Sequence, residues 1–255
     1  MSKKALITGA GSGIGRDIAK VLSSMGYEII MVSRSTEKMH ETAKQLKTKS
    51  YIIPADLSDR NKCIDIYKEV QEICTDGELE IVINNAGFGL FGRFCESDIN
   101  TELKMIDTNI VALHILTKLF LNNFISKNSG YILNVASSAA FMPGPLMAAY
   151  YSTKAYVLRL SLAVDRELKK TGSNVYIGVL CPGPVDTNFN NVANVKFALK
   201  GLSSEYVAEY AIKKMLKRKT VIVPGLKMKL GKFILRFAPD SLATEAAYNI
   251  QRRKN

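Results

Sequence analysis

Ala5-Leu6-Ile7-Thr8-Gly9-Ala10-Gly11-Ser12-Gly13-Ile14-Gly15 is the stretch whose reading decides the fold. Ala5–Thr8 predicts a short apolar strand, and the glycine cluster after it predicts a tight turn. Ile14, Ile18, Val21, Leu22 and Met25 then recur at helical spacing. A lone glycine-rich turn is weak evidence. Placed between the first strand and first helix of an α/β chain, it becomes a nucleotide signal. Glycines there let the backbone turn sharply and approach a pyrophosphate, which sits at the helix N-terminus.

The alternation continues along the chain. Strands are predicted at Glu28–Val32, Ser50–Pro54, Leu79–Ile83, Tyr131–Val135, Val175–Leu180 and Thr220–Val223. Helices are predicted at Ser35–Lys47, Arg60–Cys74, Ile99–Ser126, Ala149–Lys170 and Ser204–Arg218. Strand–helix alternation implies an α/β doubly wound parallel sheet of about seven strands with helices on both faces. With no internal repeat or linker, residues 1–255 read as a single domain, ending in a basic amphipathic segment at about 224–255.

A chain of 255 residues with 47% hydrophobic content can build one full core. No apolar run approaches the ~18–20 residues that span a bilayer. The N-terminus has no long apolar stretch before Ala5, so a signal peptide is not expected and a cytoplasmic location is. Cys63, Cys74, Cys95 and Cys181 are scattered, and neither His40 nor His114 has a cysteine partner nearby. Reduced thiols are expected, and no metal site. The net charge of +12 is concentrated at one end: Lys213–Asn255 holds twelve Lys/Arg against Asp240 and Glu245. The rest of the chain is close to neutral, so the basic pI says little about it.

A second constellation is Tyr150-Tyr151-Ser152-Thr153-Lys154, with Ser137 thirteen residues before Tyr150. On a helix, Tyr150 and Lys154 share one face a turn apart. A neighbouring cation favours the phenolate and makes tyrosine a usable proton donor and acceptor. Tyr151 points about 100° away and reads as a packing or pocket residue. At the end of the second strand, Val32-Ser33-Arg34-Ser35 lacks the acid that would bind the ribose hydroxyls of NAD. Arg34 can grip a 2′-phosphate with its fork of donors, so NADP is expected over NAD.

On these motifs the chain resembles the short-chain dehydrogenase/reductase family, with a Rossmann-type single domain, over roughly residues 4–187. The turn from Gly9 through Ser12, Gly13, Ile14 and Gly15 matches the family's form. Asp56, followed by Leu57, matches its adenine contact. Asn85, Ala86 and Gly87 match the segment lining the cofactor, and Asn109 sits where the family has its helix asparagine. Ser137, Tyr150 and Lys154 match the catalytic serine, tyrosine and lysine; the adjacent Ser138 is the alternative to Ser137. Pro182, Gly183, Val185 and Thr187 match the segment at the nicotinamide carboxamide.

The resemblance implies an NADP(H)-dependent oxidoreductase that interconverts a carbonyl and a secondary alcohol. Tyr150 is then the proton donor, Ser137 the partner of the same oxygen, Lys154 the holder of the nicotinamide ribose, and Asn109 the anchor of a proton-relay water. A homodimer or homotetramer is the family's default. A nucleotide-binding redox sensor without turnover is the alternative, and no nucleic-acid partner is expected. Phe88, Leu90, Phe91, Phe94, Phe141, Met142, Leu146, Met147, Phe189 and Phe197 make the substrate loops apolar, which suggests a lipophilic substrate of 3-oxoacyl thioester or keto-steroid type. Leu226–Phe237 reads as a basic amphipathic helix. It can pack on the body, lie on an anionic membrane, or meet an acidic carrier protein.

Overall fold

The computed structural model describes residues 2–74, 78–187 and 201–252. β1 (Lys4–Thr8), α1 (Gly13–Ser24), β2 (Glu28–Ser33), α2 (Thr36–Ala43), β3 (Ser50–Pro54), α3 (Arg60–Ile73) and β4 (Leu79–Asn84) alternate through the N-terminal part. α4 (Ile99–Ile106), a π-helical turn (Asp107–Ala112), α5 (Leu113–Lys127), β5 (Tyr131–Val135), a 3-10 turn (Ser138–Phe141), α6 (Ala148–Lys170) and β6 (Tyr176–Leu180) follow. Then come β7 (Val185–Asp186), β8 (Leu202–Ser203), α7 (Ser204–Leu216), β9 (Val221–Ile222), α8 (Leu226–Leu235) and α9 (Asp240–Gln251).

Seven parallel strands pair in the order β3-β2-β1-β4-β5-β6-β9. The order reverses at β1, which lies between β2 and β4. The loops after β1 and β4 therefore diverge, opening a crevice at the carboxyl ends of the strands.

Successive residues of each strand face opposite sides, and both sides are covered. Ile7, Ile29, Met31, Ile83 and Leu133 pack under Ile18 and Leu22 of α1 and Val207 and Ile212 of α7. Leu6, Ile30, Val82, Ile132 and Ile177 pack under Ile66 and Val70 of α3 and Phe120 and Phe124 of α5. This double burial explains the unbroken apolar runs of the strands.

A buried polar cluster ties the sheet to its helices below the crevice. Asn84 Nδ2 donates to Thr117 Oγ1 (3.0 Å) and Asn134 Oδ1 (2.9 Å), and Asn134 Nδ2 donates to Ser161 Oγ (3.0 Å).

Among the longer elements, three differ from the sequence expectation. The predicted Ser35–Lys47 helix stops at Ala43, where Gln45 and Leu46 tighten to i−3 bonds with Thr42 and Ala43. The predicted Ile99–Ser126 helix is α4 and α5 joined through the π-helical turn. α9 was not expected: its inward stripe is Ala243, Ala247 and Gln251, which hydropathy barely registers.

Candidate active site

The crevice is a cavity of about 730 Å³ reaching from the glycine turn to the C-terminal helices. Gly9 and Gly13 have φ of +69° and +53°, values that a side chain makes costly. A Cβ on Gly9 would stand 2.8 Å from Asn85 Nδ2, and one on Gly15 would collide with the Gly9 carbonyl oxygen. The turn is therefore packed to backbone contact. Thr8 Oγ1 locks it to β4 by accepting from the amides of Asn85 and Ala86, both at 3.0 Å. Asn85 Nδ2 returns a bond to Thr8 O at 3.0 Å. Ser12 makes no side-chain cap at the α1 N-terminus, so the cleft meets the first-turn amides directly.

Ser12, Gly13 and Ile14 line the wall, whereas Gly15 does not and serves close packing. Ser33 and Arg34 line the far end of the same wall with Ser35 and Lys38. Lys38 was missed in the sequence; its spacing of four from Arg34 on a helix start is the signal that could have found it. Asp56 and Leu57 also face the cavity. Burial works to raise the Asp56 pKa, but bonds from the Ser58 amide and hydroxyl and the charges of Arg34 and Lys104 hold it below the usual value.

Ala86 and Gly87 continue the wall on one side, and Pro182, Gly183, Val185 and Thr187 on the other. Between them stand Ser137, Tyr150 and Lys154. Ser137 Oγ accepts from the Ala139 amide at 3.1 Å, capping the 3-10 turn, and shares the cavity wall with Tyr150. Ser138 also reaches the wall, but its amide is spent on Pro182 O at 2.7 Å. Tyr150 has the geometry expected of the paired hydroxyl, and Tyr151 does not. Tyr151 stands edge-on to the Tyr150 ring at 6.1 Å and hydrogen-bonds with Gln251.

The electrostatics differ from the sequence expectation of a lowered tyrosine pKa. Burial pushes Tyr150 well above its ordinary value, with the Ser137 hydroxyl opposing. Burial also pulls Lys154 down to about 8, with the charge of Cys181 opposing. Lys154 Nζ lies 5.9 Å from the Tyr150 ring centroid and donates to Val135 O at 3.0 Å. Desolvation thus outweighs the attraction that spacing alone suggested, and it keeps the phenol protonated at neutral pH.

Asn109 is fully buried in the π-helical turn and does not reach the cavity wall. Its amide brackets Phe88, accepting from the Phe88 amide (3.1 Å) and donating to its carbonyl (2.9 Å). It also donates to Thr153 Oγ1 at 3.1 Å, and Thr153 donates to Tyr150 O at 2.7 Å. Asn109 therefore links the loop after β4 to the helix carrying Tyr150.

Of the expected substrate loops, Phe88, Phe141, Met142 and Met147 reach the cavity. Leu90 and Phe91 pack against Met105 and Met147, and Phe94 is exposed. Leu146 is held in a left-handed conformation at φ +65°. Phe189 and Phe197 lie outside the described residues. The remaining wall is one the sequence did not suggest: Met228, Gly231, Lys232, Ile234 and Leu235 of α8, with Ala246, Ala247 and Ile250 of α9. Met228 packs on Gly183, and Lys232 Nζ sits 5.2 Å from the Phe141 ring centre. Among the described residues, no cluster of His, Cys, Asp or Glu could hold a metal.

A family model for short chain dehydrogenases matches residues 3–198. An uncharacterized oxidoreductase of Staphylococcus epidermidis is 37% identical over 186 residues, covering 72% of this chain and 79% of its own. A short-chain dehydrogenase from Sphingobium yanoikuyae, solved with NADPH, superposes with a TM-score of 0.82 at 26% identity, covering 94% of both chains. The bulky-bulky ketone specific alcohol dehydrogenase from Comamonas testosteroni superposes with a TM-score of 0.76 at 25% identity, covering 96% of this chain and 98% of its own.

Proposed function

Because the chain belongs to the short-chain dehydrogenase family, a family of oxidoreductases, we propose that it interconverts a carbonyl and a secondary alcohol with NADP(H), on a lipophilic substrate. The observation that carries this reading is that Ser137, Tyr150 and Lys154 line one cavity with the glycine turn, with the Ser137 hydroxyl acting on that of Tyr150. The cavity suits a dinucleotide because the turn that lines it through Gly9 and Gly13 has positive φ and no room for side chains, which leaves its backbone bare to a pyrophosphate.

When bound, the nicotinamide supplies the hydride. In the reductive direction Tyr150 gives its proton to the substrate oxygen, and burial keeps that proton in place at neutral pH. Ser137 hydrogen-bonds the same oxygen as negative charge grows on it. Lys154, fixed by Val135 O, supplies a positive charge beside the pair and a donor for the nicotinamide ribose. Asn109 positions Tyr150 through Thr153. Its proposed hold on a relay water falls to the backbone of the π-helical turn, since its side chain is engaged elsewhere.

Arg34 and Lys38, on one cavity wall with Ser33 and Ser35, support NADP over NAD: two cations and two hydroxyls suit a 2′-phosphate. The apolar wall of α8 and α9, and the bulky ketones taken by the Comamonas enzyme, support a large carbonyl such as a 3-oxoacyl thioester or keto-steroid. Assembly into a homodimer or homotetramer, and a cytoplasmic setting in keeping with four free cysteines, complete the reading.

The test is oxidation of NADPH and NADH against a panel of such carbonyls, with Tyr150→Phe as control. NADPH-dependent turnover lost in the control is the expected result. Turnover that survives it overturns the role of Tyr150. Nucleotide binding with no turnover on any carbonyl favours a sensor.

A further inference from the structure

α8 has two apolar faces. At 100° per residue, Leu226, Leu230, Phe233 and Phe237 at its end fall within an arc of about 60°, and Met228, Gly231 and Leu235 lie opposite. The second set walls the cavity. The first set faces out: Leu226, Leu230, Phe233 and Phe237 are 81%, 61%, 62% and 71% exposed. Large apolar side chains at this exposure, adjacent on one face, mark an interaction surface. Lys229, Lys232 and Arg236 run along one flank and Lys227 along the other, and no acidic residue occurs between Leu226 and Pro239.

We propose that α8 docks the protein on an anionic lipid surface. Leu226, Leu230, Phe233 and Phe237 enter the acyl boundary, while Lys227, Lys229 and Arg236 meet the phosphate headgroups. No helix among the described residues is long and apolar enough to cross a membrane, so the contact is peripheral. A second copy of this chain fits the face poorly, because an isologous contact brings the two cationic flanks together. An acidic protein satisfies the cations and leaves four large apolar side chains to be covered. An anionic bilayer satisfies both.

Docked this way, the helix presents the cavity to the lipid. Ile234 is 56% exposed and also lines the cavity, so it marks the rim where the two meet. A lipophilic carbonyl then enters from the bilayer rather than from water. This entry route rests on the proposed carbonyl–alcohol chemistry; the docking does not.

The experiment is flotation of the full chain with phosphatidylglycerol vesicles and with phosphatidylcholine vesicles, at low salt and at about 0.5 M salt, where exposed charges are screened. Two variants accompany it: Phe233→Ser/Phe237→Ser, and Lys227→Glu/Arg236→Glu. None of these four residues lines the cavity. The expected result is flotation on the anionic vesicles alone, reduced by salt and by roughly tenfold or more in each variant. Turnover of a small water-soluble ketone and the particle mass by light scattering stay unchanged in the variants. Failure of the wild type to float, or equal flotation of the variants, overturns the proposal. A fall in particle mass in the variants overturns it too, by assigning the face to contact between copies. Flotation without turnover of any carbonyl in the panel above, in any form, leaves the docking intact and removes the carbonyl reading.

Discussion

The hydroxyl of Tyr151 and the side-chain amide of Gln251 are hydrogen-bonded across 100 residues of sequence. The bond joins the helix carrying Tyr150 and Lys154 to α9, and so fixes the C-terminal wall of the cavity to the site's chemistry. Gln251 is buried, and its Oε1 has no partner among the described residues. Losing the Tyr151 hydroxyl leaves that side-chain amide with no hydrogen bond among the described residues. Tyr151→Phe is expected to cost about 1–3 kcal/mol of stability and to raise KM for large carbonyls more than it lowers kcat. Thermal unfolding and steady-state kinetics with a large and a small ketone check this; equal effects on both ketones would contradict it.

Removing the hydroxyl of Tyr150 removes the proposed proton donor. Tyr150→Phe is expected to lower kcat by about 10²–10⁴-fold. Ser137→Ala is expected to lower it by about 10²–10³-fold. Nucleotide affinity, read by fluorescence titration, stays within a few-fold in Ser137→Ala, since Ser137 faces the substrate oxygen.

The charge on Lys154 predicts a pH profile. Its folded pKa of about 8 lies below the ordinary lysine value of 10.5. A step that needs the ammonium weakens as pH rises through about 8, giving kcat/KM an alkaline limb there. Stability moves the other way. The buried charge is disfavoured in the folded state, so the penalty is full below about 8 and is relieved as pH climbs toward 10.5. Lys154→Met is expected to abolish the alkaline limb along with most activity while raising the unfolding temperature at pH 7. An unchanged or lower unfolding temperature would show that the bond to Val135 O outweighs desolvation.

Cofactor choice is expected to turn on Arg34 and Lys38. Each charge-assisted contact to a phosphate is worth about 1.5–3 kcal/mol, or roughly 10–100-fold in affinity. Arg34→Ala and Lys38→Ala should each reduce the NADPH-to-NADH ratio of kcat/KM within that range, by weakening NADPH alone. A loss shared equally by both nucleotides would place the side chain elsewhere.

Gly15→Ala tests the cradle. Its Cβ collides with the Gly9 carbonyl oxygen inside a turn that Thr8 and Asn85 hold rigid. Overpacking of this kind costs about 1–3 kcal/mol. Lower unfolding temperature and weaker nucleotide binding are expected together; calorimetry reads both.

The parallel sheet was legible because each strand is buried on both faces and reads as an apolar run between turn signals, from Ala5–Thr8 to Tyr176–Leu180. Tyr150 and Lys154 were legible as a pair because helical spacing puts them on one face, whereas Ser137 was singled out by the family resemblance. Three features were hidden for definite reasons. The π-helical turn at Asp107–Ala112 keeps helical composition and changes only the bonding. The opposed shifts of Tyr150 and Lys154 depend on burial, which spacing does not report. The inner face of α8 and α9 was masked by the outer one: Leu226, Phe233 and Phe237 dominate any amphipathic reading, while Met228, Gly231, Ala246 and Ala247 build the cavity.

The two halves of the cavity are also separated along the chain. Residues up to Thr187 supply the glycine turn, the hydroxyl pair and Lys154, while Met228 to Ile250 supply the opposing wall. A polypeptide made from its N-terminus therefore presents the nucleotide cradle before the substrate wall exists. The same separation makes that wall exchangeable: recombination downstream of Val223 would trade one C-terminal wall for another and leave the glycine turn, Ser137, Tyr150 and Lys154 as they were.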